Sequence, residues 1–66
     1  MKRTLKEVRE ARGVKKIAVA EAIGVSYPTY QKYEADPRIM RVGDLEKACR
    51  FLHCRREDIF LQEDLN

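Results

Sequence analysis

Sixty-six residues, 44% hydrophobic and 38% charged, predict one small globular domain over residues 1–66. A chain of this size buries only roughly 60% of its unfolded surface, so a deep substrate pocket and an adequate core compete for the same residues; the expectation is a binding module and no enzyme. Residues 1–41 carry ten basic and five acidic side chains and residues 42–66 four basic and six acidic, so one end suits a polyanion and the other does not.

Thr4-Leu5-Lys6-Glu7 has the form of a capping box, with Thr4 accepting from the first amides and Glu7 reaching back. It predicts a first helix over about 4–12, with Leu5 and Val8 on one face and Gly13 as its left-handed terminus. Val19, Ala20 and Ile23 share a face in a second helix from Lys16 to Ile23, stopped by Gly24. Ser26 caps a third helix over about 27–35, where Pro28 in the first turn loses no helical hydrogen bond. Tyr30 and Tyr33 point inward from it. Asp36-Pro37 closes it, and residues 36–41 form an exposed loop.

Val42, Leu45, Ala48, Cys49 and Leu52 form the apolar stripe of a fourth helix, and Glu57-Asp58-Ile59-Phe60 read as a fifth, brief one. The tail 61–66 is open to fraying, to extending that helix or to forming a strand. Nothing alternates at period two over a useful length. The fold class is therefore all-α, a compact bundle of five short helices.

Cys49 and Cys54 with His53 supply three ligands where a structural zinc site takes four, so no metal and no cofactor is expected. Both cysteines read as reduced core thiols, and His53 as a polar residue favoured by the negative end of the fourth helix. Apolar runs of four residues or fewer are too short for a bilayer span. Leu5-Lys6-Glu7-Val8-Arg9-Glu10 is charged where a secretory signal is apolar. A soluble cytoplasmic protein with no membrane partner is expected.

The segment Val19-Ala20-Glu21-Ala22-Ile23-Gly24-Val25-Ser26 has the grammar of a helix-turn-helix. Ala20 is small where two helices cross, Gly24 supplies the left-handed turn residue, Val25 plugs the turn and Ser26 starts the next helix. With Leu5-Lys6-Glu7-Val8-Arg9, Arg12-Gly13-Val14, Tyr33-Glu34 and Leu45…Leu52…Asp58-Ile59-Phe60, the chain resembles the phage Cro/repressor (Xre-like) helix-turn-helix family from about Leu5 to Phe60.

The resemblance implies a lambda-repressor-like five-helix domain whose third helix enters the DNA major groove, usually as a dimer on a two-fold symmetric operator. It implies a transcriptional regulator, most often a repressor, of phage or prophage type in a bacterial cytoplasm. The family's base contacts fall on Tyr27, Pro28, Thr29 and Lys32, residues able to donate to base edges or to pack on thymine methyls. Phosphate contacts fall on Lys16, where the family has glutamine, and on Gln31, with Lys15, Arg38 and Arg41 nearby and Arg3 behind them. Arg9 and Glu34 match a structural pair bridging the first and third helices.

Lys15 stands where a Ser or Thr cap is common, Arg41 where Ser is common, with Asp44 as a later cap, and Ile17 where Glu or Ala is usual. Phe51, Ile59, Phe60, Leu61 and Leu65 are too many apolar side chains for the end of a small monomer to hide and are the candidates for homodimerisation. Double-stranded DNA is the expected partner, with no small-molecule ligand. The competing reading is a protein-interaction module, an antitoxin or adaptor on the same fold, favoured by Ile17 and the apolar tail.

Overall fold

The computed structural model describes residues 3–59. Among them stand four α-helices: α1 (Leu5–Ala11), α2 (Lys16–Ile23), α3 (Tyr27–Ala35) and α4 (Val42–Leu52). Short 3-10 turns at Pro37–Ile39 and Arg56–Asp58 complete the described chain. The Thr4 amide donates to Glu7 Oε1 at 2.8 Å and the Glu7 amide to Thr4 Oγ1 at 3.1 Å, so both halves of the capping box form. That contact holds the Glu7 carboxyl below its ordinary range.

One terminus is used three times. α1, α2 and α4 end at left-handed residues, Gly13 (φ 69°), Gly24 (φ 79°) and His53 (φ 57°). After each, an amide reaches back five residues: Val14 to the Arg9 carbonyl at 3.1 Å, Val25 to Ala20 at 3.0 Å and Cys54 to Cys49 at 2.9 Å. This is the Schellman arrangement, and Val14, Val25 and Cys54 each pack against the core from it. Composition pointed to the two glycines; His53 takes the third position through tertiary contact, its carbonyl accepting from Arg12 Nη2 at 3.0 Å.

The core joins Leu5 and Val8 of α1, Val19, Ala20 and Ile23 of α2, Tyr30 and Tyr33 of α3, and Leu45, Ala48, Cys49 and Leu52 of α4. α2 is central, packing on both α3 and α4. Ala20 is 1% exposed, which is what lets its neighbours close over the crossing.

Four expectations are corrected. The fifth helix is instead the 3-10 turn Arg56–Asp58 followed by extended Ile59 (φ −91°, ψ 124°). The Asp58 carbonyl accepts from the Arg3 amide at 2.9 Å, and Arg3 and Ile59 form a parallel bridge; pairing with the chain start takes the group a helix would need. Ile59 is thereby buried at 1% exposure and closes the monomer's own core, so it is not available to a second copy. Val42 is 58% exposed because it opens α4 at the surface, outside the stripe that begins at Leu45. The loop 36–41 is not wholly exposed, since Met40 packs against the core. The fifth-helix residue Phe60 and the tail 61–66 lie outside the described residues.

Candidate nucleic-acid interface

α3 is fixed from its inner face by its two tyrosines. Tyr30 is 0% exposed and Tyr33 7%, and each buried ring delivers its hydroxyl to a carboxylate. Tyr30 donates to Glu34 Oε2 one turn on, and Tyr33 to Asp44 Oδ2 of α4 at 2.9 Å. Burial first, and then the Glu34 bond, push the Tyr30 hydroxyl far above its ordinary pKa; the bond to Asp44 raises that of Tyr33. Asp44, the later cap expected for α4, is therefore bonded to α3, and Arg41, the residue before α4, gives it no side-chain cap.

Glu34 is also the anchor of Arg9. Arg9 Nε donates to Glu34 Oε2 at 2.6 Å and Nη1 to the Val14 carbonyl at 2.8 Å, tying α1, the turn after it and α3 together. The Glu34 bond raises the already high Arg9 pKa. Both partners are used inside the protein, the structural role read from sequence.

With Tyr30 and Tyr33 turned inward, helical spacing of about 100° per residue puts Pro28, Gln31 and Lys32 on the opposite side of α3, and all three are exposed. Tyr27 is 41% exposed at the first position of the helix. Thr29 is half-buried at its edge. Ser26 caps α3, its Oγ accepting from the Thr29 amide at 3.3 Å and donating to Thr29 Oγ1 at 2.9 Å. The Thr29 hydroxyl then keeps its own proton to donate, which suits guanine O6 or N7 or a phosphate oxygen.

Beside α3 lies a cleft of about 230 Å³ lined by Lys6, Lys16, Gln31, Glu34 and Ala35. It brings together two phosphate candidates, Lys16 and Gln31, with Lys6, which is not among the candidates read from the sequence. Its helical phase relative to Glu34's partner Arg9, three residues on, was the available signal. Among the described residues Lys6, Lys16 and Lys32 form no ion pair.

α2 opens at Lys16 as predicted, with Lys15 extended before it (φ −77°, ψ 151°) and no side-chain cap. Lysine carries no acceptor, so the first amides of α2 lack the usual side-chain oxygen. Ile17 beside them is 53% exposed. Arg41 is exposed at the start of α4. Arg38 differs from the lysines: its Nε donates to Asp36 Oδ1 at 3.0 Å, and this contact lowers the Asp36 pKa. Phe51, 42% exposed on α4, is the one dimerisation candidate left on the described surface; Phe60, Leu61 and Leu65 lie beyond it.

Pro28, Gln31 and Lys32 thus sit together on the outer side of α3, with Tyr27 and Thr29 in its first turn and with Lys6 and Lys16 lining the cleft beside Gln31. No helix among the described residues is long and apolar enough to cross a membrane. No curated protein and no solved structure matches the chain. The helix-turn-helix family matches over residues 5–59, from the first residue of α1 to the buried Ile59. The chain belongs to the Xre/Cro-like helix-turn-helix family, whose domain is that of DNA-binding transcription regulators.

Proposed function

We propose that this chain is a sequence-specific repressor of phage or prophage type that binds a two-fold symmetric operator as a dimer, with α3 in the major groove. The observation that carries the reading is the way Tyr30 and Tyr33 lock α3 inward while Pro28, Gln31 and Lys32 face outward. A helix held by two buried rings and two carboxylates presents its outer side chains in fixed register, as base readout requires. Lys32 donates to guanine, Thr29 to a base-edge acceptor, and Tyr27 and Pro28 pack on thymine methyls.

A backbone phosphate lies against the start of α2 and completes it. Its oxygens take the amides that Lys15 cannot cap, its charge meets the positive end of the helix, and Lys16 and Lys6 close on it from the side. Arg41 adds a contact further along, and Arg38 one at the cost of loosening its Asp36 pair. Phe51 and the residues after Ile59 supply the contacts between protomers. The protein performs no catalysis and takes no small-molecule effector in this reading.

Selection of duplexes from a random pool at about physiological salt tests it, because nonspecific contacts there bind only at roughly 10⁻⁴ to 10⁻⁶ M. The expected product is a two-fold symmetric motif with half-sites about one helical turn apart. Lys32→Ala should relax one position of that motif. Lys16→Ala should weaken all sites alike and lower the salt slope by about one. Recovery of no motif, with a protein partner whose binding is lost in Ile17→Lys, would replace it with the interaction-module reading that the 53% exposure of Ile17 favours.

A further inference from the structure

The end of α4 carries chemistry that DNA binding does not use. Cys49 is 4% exposed in the core and Cys54 is half-buried, and both thiols are free. The Schellman bond from the Cys54 amide to the Cys49 carbonyl, 2.9 Å long, sets the two residues side by side across the left-handed turn at His53. Cys54 also packs against the core cluster that contains Cys49. The equivalent turns hold Val14 over Arg9 and Val25 over Ala20, so the motif itself requires no sulfur at either place.

Both cysteines also line one open cleft of about 400 Å³, whose other walls are Glu46, Arg50, Arg55, Arg56 and Glu57. Three guanidinium groups against two carboxylates give its mouth a net positive charge, partly engaged by the Arg56–Glu46 contact at 3.9 Å. None of the candidate DNA contacts lines it.

We propose that Cys54 and Cys49 form a thiol–disulfide exchange site for a carboxylate-bearing low-molecular-weight disulfide of the glutathione type. Cys54, the more exposed sulfur, attacks as thiolate; its new S–S bond forms as the disulfide's own S–S bond breaks, and the first small thiolate leaves. Cys49 then attacks the Cys54 sulfur and expels the second. Two protein thiols are oxidised to one Cys49–Cys54 disulfide, one small disulfide is reduced to two thiols, and the two protein protons end on them. The arginines hold the carboxylates of the incoming molecule. Burial, and then the neighbouring Cys54 thiol, push the Cys49 thiol up to about 12, so Cys54 and not Cys49 is the first attacker.

The test uses the whole chain, oxidised glutathione as the probe, acid quenching and intact mass. The expected result is a monomer lighter by two hydrogens, with no lasting adduct. Cys49→Ala should hold one glutathione on Cys54, and Cys54→Ala should stay unmodified, circular dichroism verifying that both are folded. A stable adduct on the unsubstituted chain, intermolecular disulfides, or reaction only after denaturant is added would each overturn the proposal. If a variant is unfolded, the mass of the unsubstituted chain alone decides. DNA is absent from the test, so its outcome is independent of the operator-binding reading.

Discussion

Arg9 on α1 and Glu34 on α3, 25 positions apart in sequence, meet at 2.6 Å with side chains 9% and 5% exposed. The same Glu34 oxygen accepts from the Tyr30 hydroxyl, so one carboxylate holds both the guanidinium that clamps α1 and the ring that seats α3. A buried pair of this kind is worth more as a geometric constraint than as net stability, because desolvation offsets much of the attraction.

Glu34→Ala is therefore expected to destabilise by about 3–5 kcal/mol, leaving the buried Arg9 with only the exposed Glu10 carboxylate, 4.0 Å away, to offset its charge. Removing both charges with Arg9→Met and Glu34→Leu should cost clearly less than the sum of the single changes. Urea denaturation of the four proteins at pH 7 reads this directly. Additive losses would contradict the coupling.

Stability should fall at alkaline pH in a way that Tyr30 controls. Its hydroxyl is raised in the folded protein by burial and by Glu34, so the folded state holds a proton that the unfolded chain releases above about pH 10. Stability from such a group is complete below the unfolded pKa and declines as pH rises past it, by at most about 1.4 kcal/mol per pH unit. Cys49 acts in the same direction from about pH 8.5. Denaturation curves between about pH 9 and 11 should therefore slope less steeply for Tyr30→Phe than for the unsubstituted chain.

The three left-handed helix ends predict opposite effects of exchanging glycine and a side chain. His53→Gly should stabilise by roughly 0.5–1 kcal/mol, since φ 57° is strained for histidine and the Arg12 bond goes to its backbone carbonyl. Gly24→Ala should destabilise by roughly 1–2 kcal/mol through backbone strain alone, because a Cβ there meets nothing within 4 Å. Melting curves of both variants check the pair of signs.

Lys15→Ser separates stability from DNA binding. A serine at the start of α2 can accept from the first-turn amides, of which Ala18 now reaches only the Lys15 carbonyl at 3.1 Å, and should stabilise the unbound protein by about 0.5–1 kcal/mol. In the proposed complex those amides face a phosphate, so the same change should weaken binding to the selected operator. Melting and titration of one sample set give both numbers; a gain in stability with unchanged affinity would remove the phosphate from the start of α2.

Local physics made much of this protein legible before any tertiary information. The Thr4–Glu7 capping box, the Ser26 cap, the glycine ends of α1 and α2 and the inward tyrosines all depend on residues within a few positions of one another, and each formed where the sequence indicated. The helix-turn-helix followed from Ala20, Gly24 and Val25 for the same reason. Of the contacts between distant segments, only the Arg9–Glu34 pair was legible, and that through the family resemblance; the Tyr33–Asp44 bond, the Arg12 bond to the His53 carbonyl, the cleft shared by Lys6 and Lys16, and the pairing of Arg3 with Ile59 that turned an expected fifth helix into a 3-10 turn and put Ile59 in the core were not. A short polar segment has little intrinsic preference, so the partner available across the fold decides it. Periodicity determined which faces are inside; only the folded chain decided which polar groups those faces bring together.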